Sequence, residues 1–110
     1  MTKIIKNPLY ESLVQREFNP AETLQVIQHN KPVYWSWGVE KLVNYYDKGL
    51  ILIVNGHHHK GVLLITLAWN DTYSFHLIKD GKLKETVTDV YFDELQERID
   101  KKIEYIESYK

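Results

Sequence analysis

Residues 50–54 read Leu50-Ile51-Leu52-Ile53-Val54, five consecutive apolar positions rich in β-branched side chains. Successive side chains of an extended chain point to opposite faces, so a run of this kind requires a strand inside a sheet, covered on both sides. Its surroundings repeat the signal. Asn55-Gly56 ends it, residues 62–69 are again nearly all apolar, and Asn70-Asp71 turns that run into residues 72–78. There Tyr73, Phe75 and Leu77 share one face while Thr72, Ser74 and His76 share the other, which predicts one buried and one wet face. Asp80-Gly81 is a two-residue hairpin signal, followed by an edge-like strand in which Leu83, Glu85 and Val87 alternate with Lys82, Lys84 and Thr86.

Upstream, Val33, Trp35 and Trp37 alternate with Tyr34 and Ser36, and this period of two predicts another strand. Residues 39–47 carry Val39, Leu42, Val43 and Tyr46 at helical spacing. Yet Asp47-Lys48-Gly49 leads straight into the apolar run, and a three-residue hairpin loop with Gly at its last position favours a strand.

The ends of the chain are helical in pattern. Asn7-Pro8 suits a cap followed by proline at the first helical position, with Leu9, Leu13 and Arg16 on one face of a short helix within residues 7–18. Asn19-Pro20-Ala21-Glu22 repeats the device and predicts a helix over residues 20–29, ended by Lys31-Pro32. Phe92, Leu95, Ile99, Ile103 and Ile106 recur at spacings of three and four, with Thr88 or Asp89 placed to cap them. That is a long C-terminal helix reaching about Ser108, with Glu94–Arg98 and Glu97–Lys101 in the favourable i, i+4 order. The expected architecture is α+β: an antiparallel meander of about five to six strands, N-terminal helix or helices, and the C-terminal helix packed on the sheet. With 110 residues and no linker or repeat, the chain reads as one domain, residues 1–18 forming a loosely attached N-terminal segment.

Composition removes several function classes. There is no cysteine, hence no disulfide framework, thiolate nucleophile or iron–sulfur ligand set. No apolar run approaches the ~20 residues of a membrane span, and the first residues lack the apolar stretch of a secretory signal, so the expected compartment is the cytoplasm. The formal net charge is −1, and the basic residues are scattered singly rather than gathered on a face, which does not support phosphate neutralisation of a nucleic acid. Base stacking on the aromatic 13% of the chain stays open. No phosphate loop, nucleophile elbow, zinc-protease motif or calcium loop occurs, and no cofactor is expected.

The candidate functional residues are therefore few. His57-His58-His59 invites a metal reading, but neighbours in an extended segment diverge, leaving His57 and His59 as the two that can converge on one ion. Asp71 falls at the opposite end of the strand over residues 62–69, about 25 Å away at ~3.3 Å per residue, so a solvated loop with local histidine roles is favoured. His76 titrates near neutrality in water, yet no serine or carboxylate stands at a triad spacing, and a hydrogen-bonding strand histidine is the simpler reading. Trp69, Asn70 and Asp71 make either a tight hairpin or a polar recognition corner. Trp35 and Trp37 are core anchors if the sheet is covered, and an aromatic platform if it is open.

Three stretches, residues 33–38 (Val-Tyr-Trp-Ser-Trp-Gly), 54–61 (Val-Asn-Gly-His-His-His-Lys-Gly) and 65–73 (Ile-Thr-Leu-Ala-Trp-Asn-Asp-Thr-Tyr), resemble a family of small uncharacterised proteins from gut Bacteroidetes. More remotely they are similar to small phage-encoded proteins with a like strand, Asp-Thr-Tyr turn and C-terminal helix. The resemblance covers residues 20–106 and implies kinship in fold and a prophage or mobile-element context, with no functional residue to carry over. The expected function is a non-enzymatic binding module for a protein partner or a second copy, using Trp35, Trp37, Trp69, His76 and the histidine loop. The alternative is a small histidine- or metal-dependent hydrolase built on His57, His59 and His76.

Overall fold

The computed structural model describes residues 8–56 and 58–103. Five strands, β1 (Lys41–Tyr45), β2 (Gly49–Asn55), β3 (Lys60–Leu67), β4 (Tyr73–Lys79) and β5 (Lys82–Val90), form one antiparallel sheet in sequential order. The class is α+β, with a meander of five strands. Turn chemistry sets the registers. Asp80 and Gly81, with φ of 54° and 75°, provide the two left-handed residues that match a hairpin's twist, and Lys79 pairs with Lys82 across them. The β1–β2 loop lies one residue earlier than Asp47-Lys48-Gly49. Tyr46 and Asp47 take the positive φ, the Asn44 side chain exchanges hydrogen bonds with Asp47 at 2.7 and 2.8 Å, and Gly49 already belongs to β2.

The apolar run in β2 is buried on both faces for the expected reason. On one face Leu50, Leu52 and Val54 join Leu63, Ile65, Phe75 and Leu77 beneath three helices: α2 (Pro20–Ile27), α3 (Lys31–Ser36) and α4 (Leu95–Ile103). On the other, Ile51, Leu64, Ile78 and Tyr45 meet Leu9, Tyr10, Leu13 and Val14 of α1 (Pro8–Leu13) and the residue that follows it. Each fully buried Leu or Ile contributes roughly 2 kcal/mol of burial free energy, so both layers matter to stability. Tyr45 Oη donates to Glu11 at 2.8 Å, and the Phe18 amide donates to the Asp47 carbonyl at 2.8 Å, tying the N-terminal residues to the β1–β2 hairpin. Asn7 lies outside the described residues.

The segment containing Trp35 and Trp37 is a helix, not the strand its alternation predicts. Asn30 caps it by accepting from the Val33 amide at 3.3 Å, and Lys31-Pro32 occupies the first turn, where a missing N–H costs nothing. Pro32 therefore starts α3 instead of stopping α2, which ends at Ile27. At the other end Gly38 takes φ +62°, and a Cβ there would sit 2.8 Å from the Asn55 carbonyl oxygen. Both demands select glycine as the helix stop. Helical spacing separates the two tryptophans: Tyr34 and Trp37 face the core with ring centroids 5.6 Å apart, while Trp35 faces outward.

The C-terminal stripe is helical from Leu95, and Leu95, Ile99 and Ile103 are fully buried. Thr88 and Asp89 are not its cap but belong to β5. Glu94 accepts from the Tyr91 amide at 3.1 Å in the turn before the helix, and Phe92 lies in that turn and stays exposed. Ile106 and Ser108 lie outside the described residues. The outer pairs Glu94–Arg98 and Glu97–Lys101 form at 3.4 and 3.5 Å. Three links fix α4 inward: Trp37 Nε1 donates to Asp100 at 3.0 Å, Lys102 pairs with Glu85 at 2.6 Å, and Gln96 bonds to Ile27 and Asn30. Two register shifts each place an extra residue in β5, so Leu83 opposes Ile78 on one face while Glu85 and Val87 oppose Leu77 and Phe75 on the other. The expected simple alternation is broken, and bulges of this kind twist an edge away from further pairing.

Candidate functional site

The covered sheet disperses the sequence candidates. Trp37 is fully buried under α4 and is a core anchor, so it leaves the candidate contact surface. Trp35 is 68% exposed and Trp69 74% exposed, on α3 and on the β3–β4 hairpin respectively. Neither lies on an open sheet face.

His76 is a correction to the wet-face expectation. Its face of β4 is closed: His76 is 4% exposed, and Ser74 and Thr66 are buried beside it. The imidazole spans three strands, with Nδ1 2.9 Å from Thr86 Oγ1 on β5 and Nε2 3.4 Å from Thr66 Oγ1 on β3. Hydroxyls serve as donor or acceptor, so a neutral ring satisfies both nitrogens. Burial lowers the His76 pKa from 6.5 to about 4, which keeps it neutral at physiological pH. Neither ring nitrogen faces a carboxylate.

The histidine loop behaves as a structural turn. His59 is buried, with Nε2 3.0 Å from the Val62 carbonyl, a contact in which the ring nitrogen donates. The Gly56 amide donates to the His59 carbonyl at 3.0 Å, and the His58 amide donates to the Ile103 carbonyl at 2.6 Å, stitching the loop to α4. His57 lies outside the described residues. Among the described residues no three His, Asp or Glu side chains gather as metal ligands. Asp71 stands at the far end of β3 from this loop, as its sequence position requires.

At the β3–β4 hairpin, Asn70 Oδ1 accepts from the Thr72 amide and hydroxyl at 3.3 and 2.7 Å, and Asp71 takes φ +66° while pairing with Arg16. The local hairpin role thus accounts for Asn70 and Asp71. Trp69 remains as an unburied indole beside a shallow depression shared with Gln15, Ser74 and Asp89.

One concavity lies where no sequence motif marked it. A groove of about 580 Å³ runs between α2 and the approach to α4, with Val26 and the 69%-exposed Phe92 as its apolar walls. Glu22, Asp93 and Glu97 line its rim together with His29. Gln96 sets its width: its side-chain amide donates to the carbonyls of Ile27 and Asn30 at 2.7 and 2.8 Å and accepts from the Asn30 amide at 3.2 Å. Phe92 lies three residues before Leu95 and so read as core. The helix begins only at Leu95, and nothing in the stripe itself marks that Phe92 falls in the turn before it.

Among the described residues no helix is long and apolar enough to cross a membrane. Comparison of the chain with protein-family models, with curated proteins and with solved structures returned no match.

Proposed function

We propose that this chain is a small non-enzymatic interaction module that binds a protein partner or a second copy through aromatic side chains displayed around a closed sheet. One observation carries the reading: Trp35, Trp69, Tyr91 and Phe92 are each more than 60% exposed, although both sheet faces are covered and the core has aromatic residues of its own. Large aromatic rings held in water are unfavourable for an isolated domain and are enriched where a partner covers them. The contact surface belongs to hairpin, helix and loop positions at the rim, in place of the sheet-face platform expected from alternation. The hydrolase alternative has no such support, since His59 and His76 direct their ring nitrogens to a carbonyl and to two hydroxyls.

The test compares wild type with a Trp35→Ser/Trp69→Ser/Phe92→Ser variant. Unchanged far-ultraviolet circular dichroism establishes that the variant folds. The expected result is that a partner retained by immobilised wild type from a lysate of its own cells, or a sedimentation mass above one chain, is lost in the variant. Equal retention by both proteins, with both monomeric, would remove the reading.

A further inference from the structure

We propose that the groove between α2 and α4 receives a cationic amphipathic peptide segment, which inserts an apolar side chain between Val26 and Phe92 and places Lys or Arg side chains against Glu22, Asp93 and Glu97. This deepens the interaction-module reading and rests on it. The first support is shape: at about 580 Å³ the groove has room for large side chains, and its apolar walls come from α2 and from the turn that leads into α4, two segments tied together by Gln96.

The second support is charge. Three carboxylates line the groove, and among the described residues neither lysine nor arginine does. Lys101 is the nearest compensating cation in the ion-pair network, at 3.5 Å from Glu97, but that pair is well solvated, with side chains 58% and 72% exposed. Exposed pairs of this kind are weak and exchange partners readily. An apolar stripe flanked by negative charge that only one exposed lysine offsets is complementary to a helix or strand that alternates basic and large apolar residues. An acidic partner meets repulsion here, and a purely apolar one leaves Glu22 and Asp93 without a cation at the interface edge.

The experiment uses the full chain and a fluorescent synthetic peptide of leucines and lysines patterned at helical spacing over about four turns. A second peptide carries glutamate in place of every lysine. Anisotropy gives affinity, and amide shifts in a 15N-labelled sample locate the contact. The expected result is binding of the lysine peptide alone, with shifts confined to residues 22–29 and 92–97. Both Phe92→Ala and a Glu22→Gln/Asp93→Asn/Glu97→Gln variant should weaken it by about tenfold or more, and the charge variant should also lose most of the salt dependence. Equal binding of both peptides, or shifts at Trp35 or Trp69 with Phe92→Ala unaffected, overturns the groove assignment while leaving an interaction module in place. No binding of either peptide overturns it too, and the triple serine variant above then judges the broader reading independently. Concentration-dependent shifts at the groove without peptide would identify a second copy as the occupant, and would equally overturn the cationic segment.

Discussion

Acidification should loosen this fold through one buried ring. His76 is 4% exposed, lies between Thr66 and Thr86, and has its pKa lowered from 6.5 to about 4 by burial. In the unfolded chain the ring takes a proton near pH 6.5, whereas in the folded chain it resists until about pH 4. Between those values the unfolded state binds more protons, so stability rises with pH and falls as pH drops through the window. The fall from 6.5 to about 4 corresponds to about 3 kcal/mol, of which about 2 kcal/mol is lost by pH 5 and most of the rest by pH 4. That is a large share of the ~5–15 kcal/mol that holds a typical domain together. The assay is urea denaturation from about pH 7.5 to pH 4.5, on wild type and His76→Gln. Glutamine offers a donor and an acceptor to the two threonines but carries no titratable proton. Contributions common to both proteins cancel in the difference. The wild type should lose about 2 kcal/mol relative to the variant by pH 5. Parallel stability curves across that range would refute the reasoning, because they would mean that the folded protein protonates the ring as easily as water does.

Other expectations concern the elements that frame the groove. Trp37→Phe keeps the packing surface but removes the Nε1 bond to Asp100, and should cost about 1–3 kcal/mol in chemical denaturation, partly from the stranded carboxylate. Gly38→Ala introduces a Cβ at positive φ and against the Asn55 carbonyl, and should destabilise by more than about 1 kcal/mol, lowering the melting temperature. Gln96→Leu loses three hydrogen bonds between α4 and the α2–α3 junction. It should accelerate amide exchange at Asn30 and the residues beside it before any global change. Trp35→Ser and Trp69→Ser should each shift stability by no more than about 0.5 kcal/mol, and iodide should quench both indoles while sparing Trp37.

The legible part of the fold was the part whose local and global signals agree. Residues 50–54 could only be a strand covered twice, and α1 and the α2–α4 layer supply that cover. Asp80-Gly81 fixed its hairpin because two left-handed residues are what that turn requires. Residues 33–37 failed because five residues are too few to separate a period of two from one of 3.6, and Asn30, Pro32 and Gly38 had to be weighed as helix-end signals instead. The wet face assigned to His76 failed for another reason. Alternation shows which residues share a side, but whether that side meets water depends on elements distant in sequence. Phe92 failed because the stripe continues through it in sequence while the helix does not.

A layer sealed above and below leaves the β2, β3 and β4 residues little tolerance for change, since each alternate side chain is committed to one oily slab or the other. Substitutions that spare folding are then confined to turns, the kinked border strand and the outward ridges of the helices. Trp35, Trp69 and Phe92 all stand in that permissive zone. Drift can therefore rewrite the outer contour without reopening the question of how the chain folds.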